Sequence, residues 1–328
     1  MRPFDYQRAH SPGEAARMAA ASDAMLIAGG TNLLDLMKLQ VHSPARLADI
    51  GRIGLDGIQE TPDGGLRIGA LATNTETAVH PRVRADYPVL ARAILAGATQ
   101  QLRNKATTGG NLCQRTRCYY FMNIDQPCNK RDPGSGCGAI GGVNKLHAVL
   151  GTSDQCIATY PGDMAVALTA LGAEVVIADS EGKERTVPVR DFHRLPGDTP
   201  WRDNVLEPGE IILAVTLPPS VKGIQLYRKV RERSSYAFAL VSVAALIAIE
   251  HGKFSRADLA FGGLAHKPWH DPRIGELLVG QTPSPDLFDQ AADLLLEGAE
   301  GHGDNDFKIP LTRRTLHAVL AEAVEKAA

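Results

Sequence analysis

The sequence predicts a protein of mixed α and β structure with two domains. Three observations carry that expectation. The chain has 328 residues, enough for about two cores of ordinary size. Up to about residue 220, short apolar runs, glycine-rich turns and helical patterns alternate. After the apolar run Ile211–Leu217, Pro218, Pro219 and Gly223 interrupt the chain, which puts a domain boundary near residue 221.

The elements follow in order. Residues 24–28 form a short apolar strand running into Gly29-Gly30-Thr31-Asn32, after which Leu33, Leu34, Leu36 and Met37 recur at helical spacing. From Ala173 the pattern becomes strand, turn, strand. Residues 174–178, the turn 180–183 and residues 185–189 read as an antiparallel hairpin. Beyond the boundary, strands are expected at 224–230, 237–249 and 257–264, and helices at 285–297 and 311–326.

Composition excludes several function classes. A net charge of -2 gives no basic field for nucleic acid. The longest nearly uninterrupted apolar run, residues 236–249, is short of the roughly 20 residues of a membrane-spanning helix and reads as a buried strand. The N-terminus lacks the features of a secretory signal, so the chain on its own is expected in the cytoplasm.

Two segments have the chemistry of phosphate loops: Ala28-Gly29-Gly30-Thr31-Asn32-Leu33 and Thr107-Thr108-Gly109-Gly110-Asn111-Leu112. Paired glycines let backbone N–H groups approach an anion with no side chain in the way. Each taken alone also reads as a tight turn. A literal G-x-G-x-x-G from Gly136 to Gly141 is set aside, because a polar loop and no strand precedes it.

All five cysteines lie between residues 113 and 156. The spacings from Cys118 to Cys128, Cys137 and Cys156 are too long for a zinc ribbon. They leave open an iron-sulfur cubane, a zinc site, disulfides and unrelated thiols. His147, His266 and His270 have no metal-ligand spacing and read as ordinary surface or core histidines. Trp269 reads as packing a loop. No Ser-His-Asp arrangement or Walker-type loop is present.

Set in order, these segments resemble the FAD-binding subunits of the xanthine dehydrogenase family of molybdenum hydroxylases over nearly the whole chain. The carriers are the two glycine loops, Asp163 with the stretch 164–171, Glu210-Ile-Ile-Leu-Ala-Val-Thr-Leu-Pro218, and residues 229–233. The resemblance implies an α+β protein. Residues 1–220 would take the FAD-binding fold of the vanillyl-alcohol oxidase (PCMH) type, and residues 221–328 a domain of antiparallel sheet and helices, as in CO dehydrogenase flavoproteins. It further implies that Ala28, Gly29, Gly30, Thr31, Asn32 and Leu33 hold FAD with Thr108, Gly109, Gly110 and Asn111. Asp163 would bind the ribityl or nearby polar groups, and Ile212 and Lys229 would approach the isoalloxazine. Ile212 also reads plainly as a core strand residue and Lys229 as a solvated charge. Many relatives have an acidic residue where this chain has Tyr236, which counts against NAD binding.

Most of that family pass from the second glycine loop to the helix at Asp163 through a short segment. Here residues 115–157 are an insertion with four of the cysteines. Flavin subunits of 4-hydroxybenzoyl-CoA reductase and of periplasmic aldehyde oxidoreductase have a similar expansion with an extra [4Fe-4S] cluster. The stretches Gln114-Arg-Thr-Arg-Cys118, Gln126-Pro-Cys-Asn-Lys-Arg131, Pro133-Gly-Ser-Gly-Cys137 and Cys156-Ile-Ala-Thr159 are similar to the aldehyde oxidoreductase version. The resemblance implies Cys118, Cys128, Cys137 and Cys156 as cluster ligands, with Cys113 a small buried residue near the flavin. It also implies two partners, a large subunit with the molybdenum cofactor and a small subunit with [2Fe-2S] centres, in a heterotrimer that oxidises aldehydes and passes electrons through FAD to an external acceptor. Such relatives are exported folded on a partner's signal, so the periplasm is expected for the complex. A flavin-free scaffold with zinc-binding cysteines and a self-sufficient flavin oxidase stand as the alternatives.

Overall fold

In the computed structural model, which describes residues 1–21 and 23–328, three sheets carry the chain. The first is parallel and small: β1 (Asp5–Arg8) and β2 (Ala24–Ile27) flank β3 (Arg46–Asp49). The second has five antiparallel strands in the order β4 (Ile58–Glu60), β5 (Leu66–Gly69), β8 (Ile211–Leu217), β6 (Glu174–Ala178) and β7 (Glu184–Pro188). The third is an antiparallel meander of β9 (Ile224–Val230), β10 (Val241–Glu250) and β11 (Lys253–Gly262). Among the described residues no helix is long and apolar enough to cross a membrane.

Local chemistry explains the best-defined elements. In β8 all seven residues are apolar or Thr and six are buried, because one face meets the first core and the other the N-terminal helix. The β10–β11 hairpin closes through His251 and Gly252, with φ of 52° and 74°. Two successive left-handed residues give the turn whose twist matches paired strands. The helix Met164–Ala170 is apolar but for Thr169, whose hydroxyl donates to Ala165 O, and is buried at all seven positions. It lies between the helix Pro88–Ala96 and the sheet of β10 and β11, so it has no face left for water.

Two large cores result. One joins the five-stranded sheet to the helices Pro88–Ala96 and Met164–Ala170, and Ala244, Leu246 and Ala260 of the third sheet also belong to it. The other lies on the opposite face of the third sheet, under the helices Pro285–Leu295 and Lys308–Ala327. Val149 and Leu150 from the cysteine-bearing segment are part of this second core, and both donate N–H bonds to Leu264 O, at 2.9 and 3.0 Å.

The structure corrects one expected element. The run 236–249 is not a single strand: β10 begins at Val241, and residues 236–240 form a loop. Tyr236 has φ 50° and is exposed, as is Phe238, and both line a cavity instead of pairing. In the other direction, β11 starts four residues earlier than its apolar run, carried by hairpin pairing of polar Lys253 with Glu250.

Candidate functional site

The two glycine loops meet because Gly29 has no side chain. A Cβ there would lie 1.8 Å from the carbonyl oxygen of Lys105, just before the second loop. The backbones therefore approach to a distance open only to glycine. Gly30 has φ +72° and turns the chain into the helix Leu33–Lys38. Asn32 Oδ1 accepts from Arg115 N at 3.1 Å and ties the first loop to the residues after the second.

The loops differ in what they offer. Among the described residues, no protein acceptor is found for the N–H groups of Gly29, Gly30, Thr31 and Asn32. The second loop is a capped helical turn, Thr108–Leu112. Its donors are already engaged: Thr108 N with Ala72 O, Gly109 N with Ala70 O, Gly110 N with Thr107 Oγ1 and Asn111 N with Thr107 O, all at 2.8 to 3.2 Å. Sequence reasoning gave both loops free donors. Only the first keeps them, because capping by Thr107 and docking on residues 70–72 consume the others.

Between the loops runs a trough of two joined cavities, of about 180 Å³ and about 500 Å³, which share Thr31, Asn32 and Gly110. Ala28, Gly29, Gly30 and Leu33 line the smaller, and Asn111, Asp163 and Lys229 the larger. Thr108 and Gly109 are buried beneath the wall. Ile212 lies in the first core, paired across the sheet with Ile177, and lines neither cavity.

Asp163 and Lys229 form an ion pair in the wall, Nζ to Oδ2 2.8 Å, with side-chain exposures of 8% and 4%. Lys229 is thus no solvated charge. Its Nζ also donates to Ala96 O at 3.2 Å, and Tyr227 donates its hydroxyl to Asp163 Oδ1 at 2.6 Å. Burial, followed by the neighbouring Asp163 carboxylate, pushes the Tyr227 phenol well above its ordinary range. Burying this pair is tolerable because every charged atom has a short partner.

The cysteines divide as four and one. All five are free thiols. Cys118, Cys128, Cys137 and Cys156 line one narrow common space of about 10 Å³. Cys113 does not line it; it lines the smaller cavity of the glycine trough. Among the described residues no three His, Cys, Asp or Glu side chains are grouped to hold a single metal ion. Burial pushes the Cys118 thiol up to about 12 and that of Cys156 to about 11. Such thiols stay protonated unless a metal displaces the proton.

Side-chain to backbone bonds shape this segment, which has little regular structure. Asn129 Oδ1 accepts from Gly134 N and Gly136 N, at 3.1 and 2.8 Å, and closes the loop between Cys128 and Cys137. Arg131 donates to the carbonyls of Tyr120 and Phe121, both at 2.8 Å. Leu36, from the helix after the first glycine loop, packs on Phe121 and Cys128, so the cysteine space and the trough share a wall. Beside it, Asp203 pairs with buried Lys130 and with Arg115. Burial would push the Asp203 carboxyl up, but the two cations outweigh it and hold the group at about 2.

Sequence reasoning missed His147. Read as an ordinary histidine, it is buried at 2% exposure with Nε2 3.1 Å from Cys118 Sγ. The two residues are 29 positions apart, and no spacing rule links them. His266 is a core histidine whose Nδ1 bonds Arg194 O at 2.9 Å, and Trp269 pairs with Phe261 at the edge of the second core.

Comparison with known proteins gives this arrangement a family. A model described as the FAD binding domain in molybdopterin dehydrogenase matches residues 2–220, and one described as the CO dehydrogenase flavoprotein C-terminal domain matches residues 225–323. The chain is 52% identical to the aldehyde oxidoreductase FAD-binding subunit of Escherichia coli K12, over 98% of this chain and 99% of the relative. It is 26% identical to the glyceraldehyde dehydrogenase medium chain of Sulfolobus acidocaldarius, over 88% and 85% of the two chains. Among solved structures, carbon monoxide dehydrogenase from Hydrogenophaga pseudoflava matches with a TM-score of 0.77 at 26% identity, with 100% of each chain covered. Two family models matched in order, together with a relative 52% identical from end to end, show that the chain belongs to the FAD-binding subunit family of the molybdenum hydroxylases and is an oxidoreductase subunit.

Proposed function

We propose that this chain is the flavin and [4Fe-4S] subunit of a molybdenum-dependent aldehyde oxidoreductase. It would stand between partner-borne centres, a molybdenum cofactor and [2Fe-2S] clusters, and an external electron acceptor. The observation that carries the reading is the division of the cysteines: four around one common space beside the trough, the fifth in the trough. The 52% identity to an aldehyde oxidoreductase subunit supports the substrate class, and the reading includes a periplasmic complex exported with a partner.

The trough suits FAD. The unpartnered N–H groups of Gly29–Asn32 match a pyrophosphate, and Asp163, Lys229 and Phe238 wall the larger cavity, of about 500 Å³, that would take the rest of the cofactor. When bound, FAD supplies the two-electron chemistry, and the protein supplies binding, orientation and exclusion of water. Four thiols around a common space also suit a cubane, which takes four protein sulfurs at corners farther apart than the ligands of one zinc ion. Among the described residues no three such side chains lie as close together as the ligands of one zinc ion do, which favours the cubane over the zinc scaffold.

The test is a set of five Cys→Ser variants of the complex, with iron and FAD counted per chain. Cys113→Ser should keep about four irons attributable to this subunit, as a cubane requires. Each of the other four changes should lower the count while FAD stays bound. Loss of the cluster on changing Cys113, with Cys156 dispensable, refutes the assignment.

A further inference from the structure

One further cavity, of about 270 Å³, lies between the space bounded by the four cysteines and the trough, and its walls include both Cys118 and His147. This cavity shares Arg117, Leu146, Gly162, Asp163 and Phe238 with the larger part of the trough. Cys118 thus faces the cysteine space on one side and the flavin side on the other. His147 sits at that edge, Nε2 3.1 Å from Cys118 Sγ.

The placement of the ring is held from several directions. Lys308 Nζ donates to the His147 carbonyl at 2.8 Å, and the His147 N–H donates to Asn144 O at 2.9 Å. The rings of Tyr119 and Tyr120 stand 6.2 and 6.3 Å away, centroid to centroid. With the backbone and both flanks fixed, the imidazole has one polar neighbour at Nε2, the Cys118 sulfur. Burying an imidazole in place of an apolar side chain leaves Nδ1 without a partner, a cost that the bond between Nε2 and Cys118 Sγ offsets.

We propose that His147 is a positioning residue that donates from Nε2 to Cys118 Sγ and raises the reduction potential of the cluster at its flavin-facing edge. This rests on the reading that Cys118, Cys128, Cys137 and Cys156 hold a [4Fe-4S] cluster. As a cluster ligand Cys118 is a thiolate and can only accept, so Nε2 carries the proton. One-electron reduction adds a negative charge that is shared with the ligand sulfurs. A hydrogen bond to one of those sulfurs strengthens as the charge grows and so favours the reduced form.

The experiment is a reductive titration of the intact complex with dithionite, with the low-temperature paramagnetic resonance of the four-iron cluster as readout and iron counted per chain. His147→Phe removes the donor, His147→Asn keeps polarity but is too short to reach Sγ, and His147→Gln places an amide N–H near the position of Nε2. The midpoint should fall in the Phe and Asn variants by about a tenfold change in the oxidised-to-reduced ratio, equivalent to about 59 mV for one electron. Gln should restore it. Where Phe costs the cluster its iron, the Asn and Gln pair makes the same comparison. Full iron with an unchanged midpoint in both Phe and Asn overturns the proposal, as does a Gln midpoint as low as theirs. Fewer than about four irons in the unaltered subunit is a separate failure, of the cluster reading itself.

Discussion

Gly29→Ala should empty the trough while leaving the fold standing. The added Cβ would lie 1.8 Å from Lys105 O and 2.6 Å from its carbonyl carbon. An ordinary close C···O contact is about 3.3 Å, so one backbone must retreat by about 1.5 Å. Residues 105 and 106 are pinned by Lys105 N to Leu102 O, Ala106 N to Leu102 O and Asn74 N to Ala106 O, at 3.0, 2.7 and 2.8 Å. Moving residues 105 and 106 would strain all three of these bonds at about 3 kcal/mol, at the upper end of ordinary overpacking, which sets the scale of the clash. The first loop is held more lightly at residues 29–32, where the N–H groups are free and the bonds run to Gly30 O, Asn32 O and Asn32 Oδ1, so it is the part that moves, away from the position where its N–H groups converge. If that strain falls on the FAD-competent conformation, affinity drops about 100-fold. Flavin fluorescence titration gives the affinity, and far-UV circular dichroism follows the fold. Gly13→Ala is the control, because its Cβ would meet only Arg17 Nη1, at 3.5 Å. A Gly29→Ala subunit that binds FAD within about threefold of the parent, on that affinity scale, would refute the close-approach argument.

The remaining predictions concern charge and attachment. Lys229→Met leaves the buried Asp163 carboxylate with only the Tyr227 hydroxyl, and should lower stability by about 3 kcal/mol in urea denaturation. Adding Asp163→Asn should recover a good part of that loss; a double variant no better than the single one contradicts the pairing. Asp203 is held at about 2 against an ordinary 3.8, so its contribution is present above about pH 4 and is lost as pH falls towards 2. That difference is about 2 kcal/mol, and Asp203→Asn should flatten the drop in urea midpoint between about pH 5 and pH 3. FAD should be released by acid precipitation, because the one cysteine lining the trough, Cys113, has its thiol pushed up to about 12 by burial and is a poor nucleophile. Yellow colour that stays with the pellet would show a covalent link.

Legibility in the sequence followed burial. Strands β6 and β8 lie where the apolar runs put them, since each run has a Gly or Pro close by and is largely enclosed. β1 was not readable: all four of its residues are exposed, and parallel pairing with β3 leaves no local periodicity. The run from Tyr236 misled because apolar side chains lining a cavity look the same in sequence as those in a sheet. The glycine pairs were legible as loops, but which of them keeps free donors depended on docking against residues 70–72, a long-range matter. The sequence clusters all five cysteines and the family resemblance singles out four of them, while the contact between His147 and Cys118 depends on how an irregular segment is folded back by Asn129, Arg131 and Lys308.

The attachment of that segment to the C-terminal helix bears on grafting. Lys308 is fully buried, and its two acceptors are the carbonyls of His147 and Gly263. Nearby, Asn305 Nδ2 donates to Ala148 O at 2.9 Å. Excising residues 115–157 to produce a cluster-free flavin subunit would therefore leave a buried ammonium short of an acceptor and a buried amide with none, each a loss of about 1 to 3 kcal/mol. Val149 and Leu150 would leave the second core at the same time. A viable deletion would need Lys308 and Asn305 replaced by apolar residues in the same step, and transplanting the segment into a plain relative would need both residues to travel with it.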